Sequence, residues 1–334
     1  MMKKSLNLLF SLALLSTLAA CSNNAENGAS LVIYSGRSQE FIEPFFQRFS
    51  EVSGIEVEVR YGDSAALAAQ ILEEGENSPA DLFLSQDAGA LGAVSAANIF
   101  TALPENLTGT VEQKYRSSSS DWLAITGRAR VIAFAPGRVK NPPNSIAALT
   151  DPIWKGRIGI APTNSSFQTF VTAMIQKQGE SVTESWLRGL MTNSVKFYEK
   201  NSLIVQAIDS GEIDAGLTNH YYKWEVSREL ERPINVEISF FEPGDIGNLV
   251  NVSGAGVLAN SKNQDKALQL LAFLLTKEEQ ARFVADAQEY SIVDPNLRPE
   301  GLPALAEIKS PNVDLASLSE LETTQRLLIK VGML

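Results

Sequence analysis

Cysteine and histidine are almost missing from these 334 residues: there is one of each, Cys21 and His220. A single cysteine excludes an intrachain disulfide. With only one histidine beside it, a zinc centre assembled from thiolates and imidazoles is excluded as well. A hydrolytic triad would have to use His220, and no serine or aspartate set accompanies it, so an enzyme is not expected. Long apolar runs are also lacking; beyond Leu6 to Leu18 no segment approaches the length of a membrane span. Basic charge is scarce: 28 Lys and Arg face 39 Asp and Glu, a formal net charge of −11, which becomes −13 once Lys3 and Lys4 are removed with the N-terminal segment. So acidic a body suits neither nucleic acid nor an electrostatic grip on anionic lipid. A metal bound by this chain would take oxygen ligands, with at most one imidazole.

The N-terminus has the marks of a targeting segment. Lys3 and Lys4 form a basic start, Leu6 to Leu18 an apolar stretch, and Leu18-Ala19-Ala20-Cys21 a small-residue processing site. The cysteine at that site resembles the lipobox of bacterial lipoproteins, which implies diacylation of Cys21 and a location in the periplasm or on the outer face of the cytoplasmic membrane, held by lipid alone. Residues 22–30 are short, polar and poor in apolar side chains, as a tether is. About 310 residues remain, enough for two domains of ordinary size.

Short β-type runs alternate with amphipathic helical runs along that remainder, the pattern of an α/β fold. Leu31 to Tyr34 reads as a strand and is followed by the turn Ser35-Gly36-Arg37-Ser38. A helix then carries Phe41, Phe45, Phe49 and Val52 on one face, and another from Ser64 to Glu74 turns Leu67, Ile71 and Leu72 inward. Further strands are predicted at Ile55–Arg60, Asp81–Leu84, Arg128–Phe134, Ile158–Ala161, Val195–Phe197, Ile213–Leu217 and Val250–Leu258, with helices from Gln264 to Leu275 and Leu315 to Val331. Two α/β lobes joined by crossing strands fit this order, with the ligand cleft between them at the carboxyl ends of strands and the amino ends of helices. The expected division is lobe 1 over residues 31–129 plus 253–292, lobe 2 over 130–252, and a C-terminal helical segment, 293–334, packing on the lobes.

The chemistry concentrates at Asn219-His220-Tyr221-Tyr222. Phenolate is a hard anionic donor, matched to a hard trivalent ion such as Fe³⁺ rather than to a soft metal. Free phenol titrates near pH 10, so a cation held by both side chains must displace two protons, and binding weakens in acid. Two phenolates leave one positive charge of Fe³⁺ for an anion to balance. Three stretches could cradle that anion at helix starts: Ser35-Gly36-Arg37-Ser38, Asn164-Ser165-Ser166 and Asn201-Ser202. Ser, Asn and Gly are also the ordinary helix-capping residues, so each stretch alone can be a plain cap. His220 is expected to orient its loop rather than to bind metal.

Taken together, Tyr34-Ser35-Gly36-Arg37-Ser38, Ser78-Pro79-Ala80-Asp81-Leu82-Phe83, Gly127-Arg128-Ala129-Arg130, Ala161-Pro162-Thr163-Asn164-Ser165-Ser166-Phe167, Asn219-His220-Tyr221-Tyr222, Val252-Ser253-Gly254-Ala255-Gly256 and Glu289-Tyr290 resemble the periplasmic ferric-ion-binding proteins, the solute-binding subunits of iron ABC importers. The resemblance runs over the whole chain from residue 31. It implies a two-lobe, type II periplasmic-binding-protein fold closing on Fe(III) with a synergistic anion, carbonate or phosphate-like. It makes Tyr221 and Tyr222 the metal ligands. It places the anion at Asn164, Ser165, Ser166, Asn201 and Asn219 in phosphate-using members and at an arginine in carbonate-using ones, for which Arg128 is the better choice. Arg37 and Ser38 are further candidates for the anion. The implied partners are an ABC permease and its ATPase, served by a monomeric carrier.

The departures from the family pattern are specific. Ser38 stands where some members place a histidine ligand, Gln39 where some place a tyrosine, Gln86 where some place a glutamate, and Phe134 where some place a third tyrosine. The tyrosine pair would need help from the anion, water or another carboxylate, the candidates being Asp87, next to the family's glutamate position, and Glu225, one helical turn from the tyrosines. These absences keep an alternative open: the same fold binding a small oxyanion or organic anion, such as a phosphonate or sulfate, without metal. The lipobox reading has its own check. Cells fed a labelled fatty acid should label the wild-type chain and leave Cys21→Ala unlabelled; equal labelling would rule it out.

Overall fold

The computed structural model describes residues 30–319 and 321–334. The signal segment, Cys21 and all of the tether except Ser30 lie outside the described residues. The elements run β1 (Leu31–Ser35), α1 (Gln39–Ser53), β2 (Val57–Tyr61), α2 (Ser64–Glu74), β3 (Leu82–Ser85), α3 (Ala88–Ala96), α4 (Glu105–Thr108) and β4 (Trp122–Phe134). Then come β5 (Ile158–Ile160), α5 (Ser165–Gln178), α6 (Glu180–Thr192), β6 (Lys196–Phe197), α7 (Asn201–Ser210), β7 (Ala215–Asn219), α8 (Tyr222–Glu229) and β8 (Glu237–Ser239). The chain closes with β9 (Val250–Val257), α9 (Gln264–Leu274), α10 (Lys277–Ala287), β10 (Tyr290–Ser291) and α11 (Leu321–Val331).

The strands follow the order β2-β1-β3-β9-β4-β7-β5-β6, with β8 and β10 each beside β4. β1 is parallel to β2 and β3, as helical crossovers require, while β3–β9 and β9–β4 are antiparallel. Thirteen residues long and almost wholly buried, β4 belongs to both halves of the molecule. Its first part, Trp122 to Ala129, pairs with β9; from Arg130 to Phe134 it pairs with β7. The change of partner falls between Ala129 and Arg130, and the returning chain meets it there at Leu249 and Val250. Ser253 lies farther along β9, opposite Thr126.

Hydrophobic periodicity positions most of the helices. On α1 the buried face is Ile42, Phe45, Phe46 and Phe49, and Gly54 in the left-handed region ends the helix. Two predicted core positions are corrected: Val52 is 72% exposed and Leu72 40% exposed, each at the end of its helix where the apolar stripe has rotated to solvent. The single helix expected over Leu315–Val331 is a 3₁₀ turn at Ala316–Ser319 followed by α11. Three helices, α4, α6 and α10, have no counterpart in the sequence reading. Trp186, Leu187 and Leu190 anchor α6, while α10 mixes five charged residues with few large apolar ones, Phe283 and Val284 anchoring it.

The C-terminal segment touches both halves. Its 3₁₀ turn lies on α3, where Gly89 and Gly92 allow the backbone of residues 316–318 to come close. Thr324 of α11 shares a hydrogen bond of 2.7 Å with Thr172 of α5, Gln176 donates to the Ser317 carbonyl at 3.0 Å, and Gly244 N–H donates to the Lys309 carbonyl at 2.8 Å. A Cβ at position 92 would stand 2.1 Å from the Ala316 carbonyl oxygen, a backbone atom that cannot swing aside. Gly92→Ala should therefore cost about 1–3 kcal/mol, read as a lower urea midpoint with an unchanged slope.

Candidate metal centre

The tyrosine pair sits where β7 runs into α8. Asn219 ends β7, Tyr221 adopts helical dihedrals at the start of α8, and Tyr222 is the first helical residue. Consecutive helical residues normally diverge by about 100°. At this helix start the two rings nevertheless face each other, with centroids 4.4 Å apart and planes inclined at 31°. Burial pushes the Tyr222 phenol well above its ordinary pKa and the neighbouring Tyr221 phenol adds to the rise, while the Asn201 side chain opposes it. Without a cation, the Tyr222 phenol stays protonated.

Arg128 and Arg130 lie two residues apart in β4, so they project from the same face. Both are buried and both feel the two phenols. Burial lowers the Arg130 pKa to about 10, and burial of Arg128 is outweighed by Tyr221, Glu289, Asp87 and Tyr222, which hold its pKa up. Their donors are incompletely used. Arg128 gives one N–H to the Gln86 carbonyl and keeps a buried Nε without a partner. Arg130 donates through Nη1 to the Ser166 carbonyl at 3.2 Å and to its hydroxyl at 3.4 Å, leaving Nε and Nη2 unpartnered.

The start of α5 completes this side. Asn164 caps the helix through Oδ1, which accepts from Ser166 N–H at 3.1 Å and from Ser166 Oγ at 2.6 Å. Asn201 Nδ2 donates to Asn164 Oδ1 at 3.2 Å and to Ser166 Oγ at 3.1 Å. Asn219 pairs directly with Arg130 across β4–β7, which puts their side chains on one face. Asn164, Ser166, Asn201, Asn219 and Arg130 thus converge with the tyrosines. Ser165 and Ser38 are exposed and neither side chain joins a described hydrogen bond; Ser38 occupies the N-cap position of α1 without capping it. From the opposite side comes Arg37, whose Nη2 is 2.8 Å from Glu289 Oε1 and whose guanidinium lies 3.7 Å above the Phe41 ring, with Nη1 unpartnered.

Arg130 and Glu289 join this region beyond the residues expected from the sequence. The i, i+2 spacing of Arg128 and Arg130 was visible in the sequence. The contact between Glu289 and Arg37, 252 residues apart, was not. Asp87 caps α3 by accepting from Ala90 N–H at 3.0 Å, so part of its carboxylate is already committed. Both nitrogens of His220 are used: Nε2 is 2.6 Å from the Gln288 carbonyl, which only accepts, and Nδ1 accepts from Ala129 N–H at 3.2 Å. Burial lowers its pKa to about 4, so the ring is neutral. Among the described residues no group of three His, Cys, Asp or Glu side chains could hold a metal ion.

The model of the family described as bacterial extracellular solute-binding protein matches residues 31–286. The major ferric iron-binding protein of Neisseria meningitidis is 36% identical over 310 residues, covering 91% of this chain and 93% of that protein. The Fe(3+)-binding periplasmic protein of Serratia marcescens is 31% identical over 91% of this chain and 90% of its own length. Iron-bound HitA from Pseudomonas aeruginosa superposes with a TM-score of 0.84 at 33% identity, over 91% of this chain and 99% of that one. The chain belongs to the periplasmic ferric-ion-binding protein family. It is a two-lobe α/β binding protein and not an enzyme.

In this ferric-ion-binding family member, Glu225 lies one helical turn beyond the tyrosines. Burial, then Glu229, raises its pKa to about 7, with Arg228 and Arg37 opposing. Because the folded value exceeds the ordinary 4.5, the folded protein retains a proton that the unfolded chain releases. Stability is therefore lost as pH rises from about 4.5 through about 7. In metal-free buffer Glu225→Gln should flatten that part of the stability–pH curve; an unchanged slope would contradict the assignment.

Proposed function

We propose that this chain is an extracytoplasmic Fe(III) carrier, lipid-anchored at Cys21, that captures ferric ion with Tyr221 and Tyr222 together with a synergistic anion and delivers it to the permease and ATPase of an ABC importer. The observation that carries the reading is the close, tilted phenol pair within electrostatic reach of two buried guanidinium groups whose Nε atoms have no partner. The names of the relatives, ferric iron-binding proteins of Neisseria and Serratia and an iron-bound protein of Pseudomonas, support the choice of metal.

On this reading the two phenolates supply hard oxygen donors and two negative charges. Arg128 and Arg130 lower the cost of ionising the phenols and, with Arg37, leave the site rich in positive charge. A small oxyanion, carbonate or phosphate-like, balances that charge and takes remaining coordination positions on the metal. Its binding groups are the free N–H bonds of Arg128 and Arg130, the start of α5 at Asn164, Ser165 and Ser166, and the amides of Asn201 and Asn219, with Arg37 and Ser38 on the facing lobe. A helix start and paired guanidinium groups are suited to such an anion. The division into lobes at Ala129–Arg130 places the tyrosines beside the crossing strands, where closure brings the two sets of groups together.

Titration of the purified protein with Fe(III) in bicarbonate or phosphate should produce a coloured complex through tyrosinate-to-iron charge transfer, with proton release. Tyr222→Phe should weaken binding by orders of magnitude. A colourless protein with no affinity for Fe(III) at neutral pH would end the proposal. Tight calorimetric binding of phosphonate or sulfate in metal-free buffer would favour the metal-free anion carrier instead.

A further inference from the structure

Three consecutive residues, Gln288, Glu289 and Tyr290, reach both sides of the proposed site. Gln288 has a left-handed φ of 58° after α10, which turns its carbonyl toward His220. That carbonyl accepts from His220 Nε2–H at 2.6 Å. Glu289 is 1% exposed; one oxygen takes the Arg37 guanidinium at 2.8 Å and the other accepts from the Thr126 hydroxyl. Tyr290 pairs with Gly127 of β4, and its ring lies 4.9 Å from the His220 imidazole. His220 in turn stands edge-on to the Tyr221 ring at 5.8 Å and is bonded in both directions to the Ala129 backbone, where β4 changes sheets.

We infer that Gln288–Tyr290 is a bracket that sets the tyrosine pair and Arg37 in register, with His220 and Glu289 acting as positioning residues. The inference rests on the proposed metal-binding role of Tyr221 and Tyr222. A tyrosine preceded by a residue bonded only within its own sheet could tilt with α8. Here the residue before Tyr221 is fastened to the segment that also fastens Arg37. Groups that orient first ligands in this manner typically carry a 10- to 100-fold effect on metal affinity, so about that range is expected here. Both positioning residues are buried, which makes the geometry stiff and excludes water from the shared bonds.

Two substitutions separate the bracket from simple packing. His220→Gln can place an amide N–H near the position of Nε2 and keep the bond to the Gln288 carbonyl. His220→Asn can place an oxygen near Nδ1, keeping the Ala129 bond and losing the one to Gln288. The expected result is that the Gln variant retains the wild-type charge-transfer band and affinity. The Asn variant should shift the band and bind Fe(III) about 10- to 100-fold more weakly. Glu289→Gln leaves Arg37 without its carboxylate and should lower the bicarbonate or phosphate concentration needed for iron binding; an unchanged requirement removes Glu289 from the bracket. Identical bands and affinities in wild type, His220→Gln and His220→Asn overturn the inference. So does a pair of variants that lose thermal stability alone. If neither variant folds, the wild-type protein decides by NMR: a His220 Nε2–H protected from exchange before and after iron loading supports the bracket, and one exchanging freely in the loaded protein refutes it. Failure of wild type to bind Fe(III) is a different outcome, and it removes the proposed function itself.

Discussion

Buried positive charge without enough partners is the constraint around which the cleft is organised. Arg37, Arg128 and Arg130 are each buried and each keep at least one N–H without an acceptor. Guanidinium groups do not deprotonate to escape such a site, so negative charge has to come to them. Glu289 provides part of it on one side. Two phenols stand on the other, and burial disfavours the ionised form of Tyr222. On the proposed function, the phenols become the missing charge when a ferric ion replaces their protons. The same electrostatic shortfall favours an anion in the remaining space.

That arrangement depends on one strand. β4 delivers Arg128 and Arg130 on the same face while passing from one sheet to the other between them, and β7 lays Asn219 opposite Arg130. Asn164 and Ser166 arrive at the start of α5, Asn201 at the start of α7, and the tyrosines at the start of α8. Each helix begins just after a strand of the second half of the sheet, the usual place for ligands in α/β folds. The C-terminal segment, bound to α3 on one side and α5 on the other, joins two helices whose starts lie near this region.

Much of the fold was legible because its signals are local. Short apolar runs marked β1 and β3, alternation marked β2, and the phenylalanine stripe marked α1. The errors came where a helix reached its end, as at Val52 and Leu72, or where a charged helix such as α10 offered few large apolar landmarks. For the site, Tyr221, Tyr222, Asn164, Ser166 and Asn201 were recognisable by type and position. Ser38 and Ser165 were named by the same criterion, yet both are exposed outside the described hydrogen-bond network.

By itself the sequence determined the donor chemistry. One cysteine and one histidine left oxygen as the only abundant metal donor, and adjacent tyrosines marked where two hard anionic oxygens could be found. Composition and residue type settle that, because they set which atoms exist to be shared. Only the tertiary structure decided which groups face those oxygens. Arg37 and Glu289 are 252 residues apart, and His220 meets Gln288 across 68. Such pairings follow from how the two halves of the sheet meet along β4, a consequence of packing over the whole chain that no local pattern encodes.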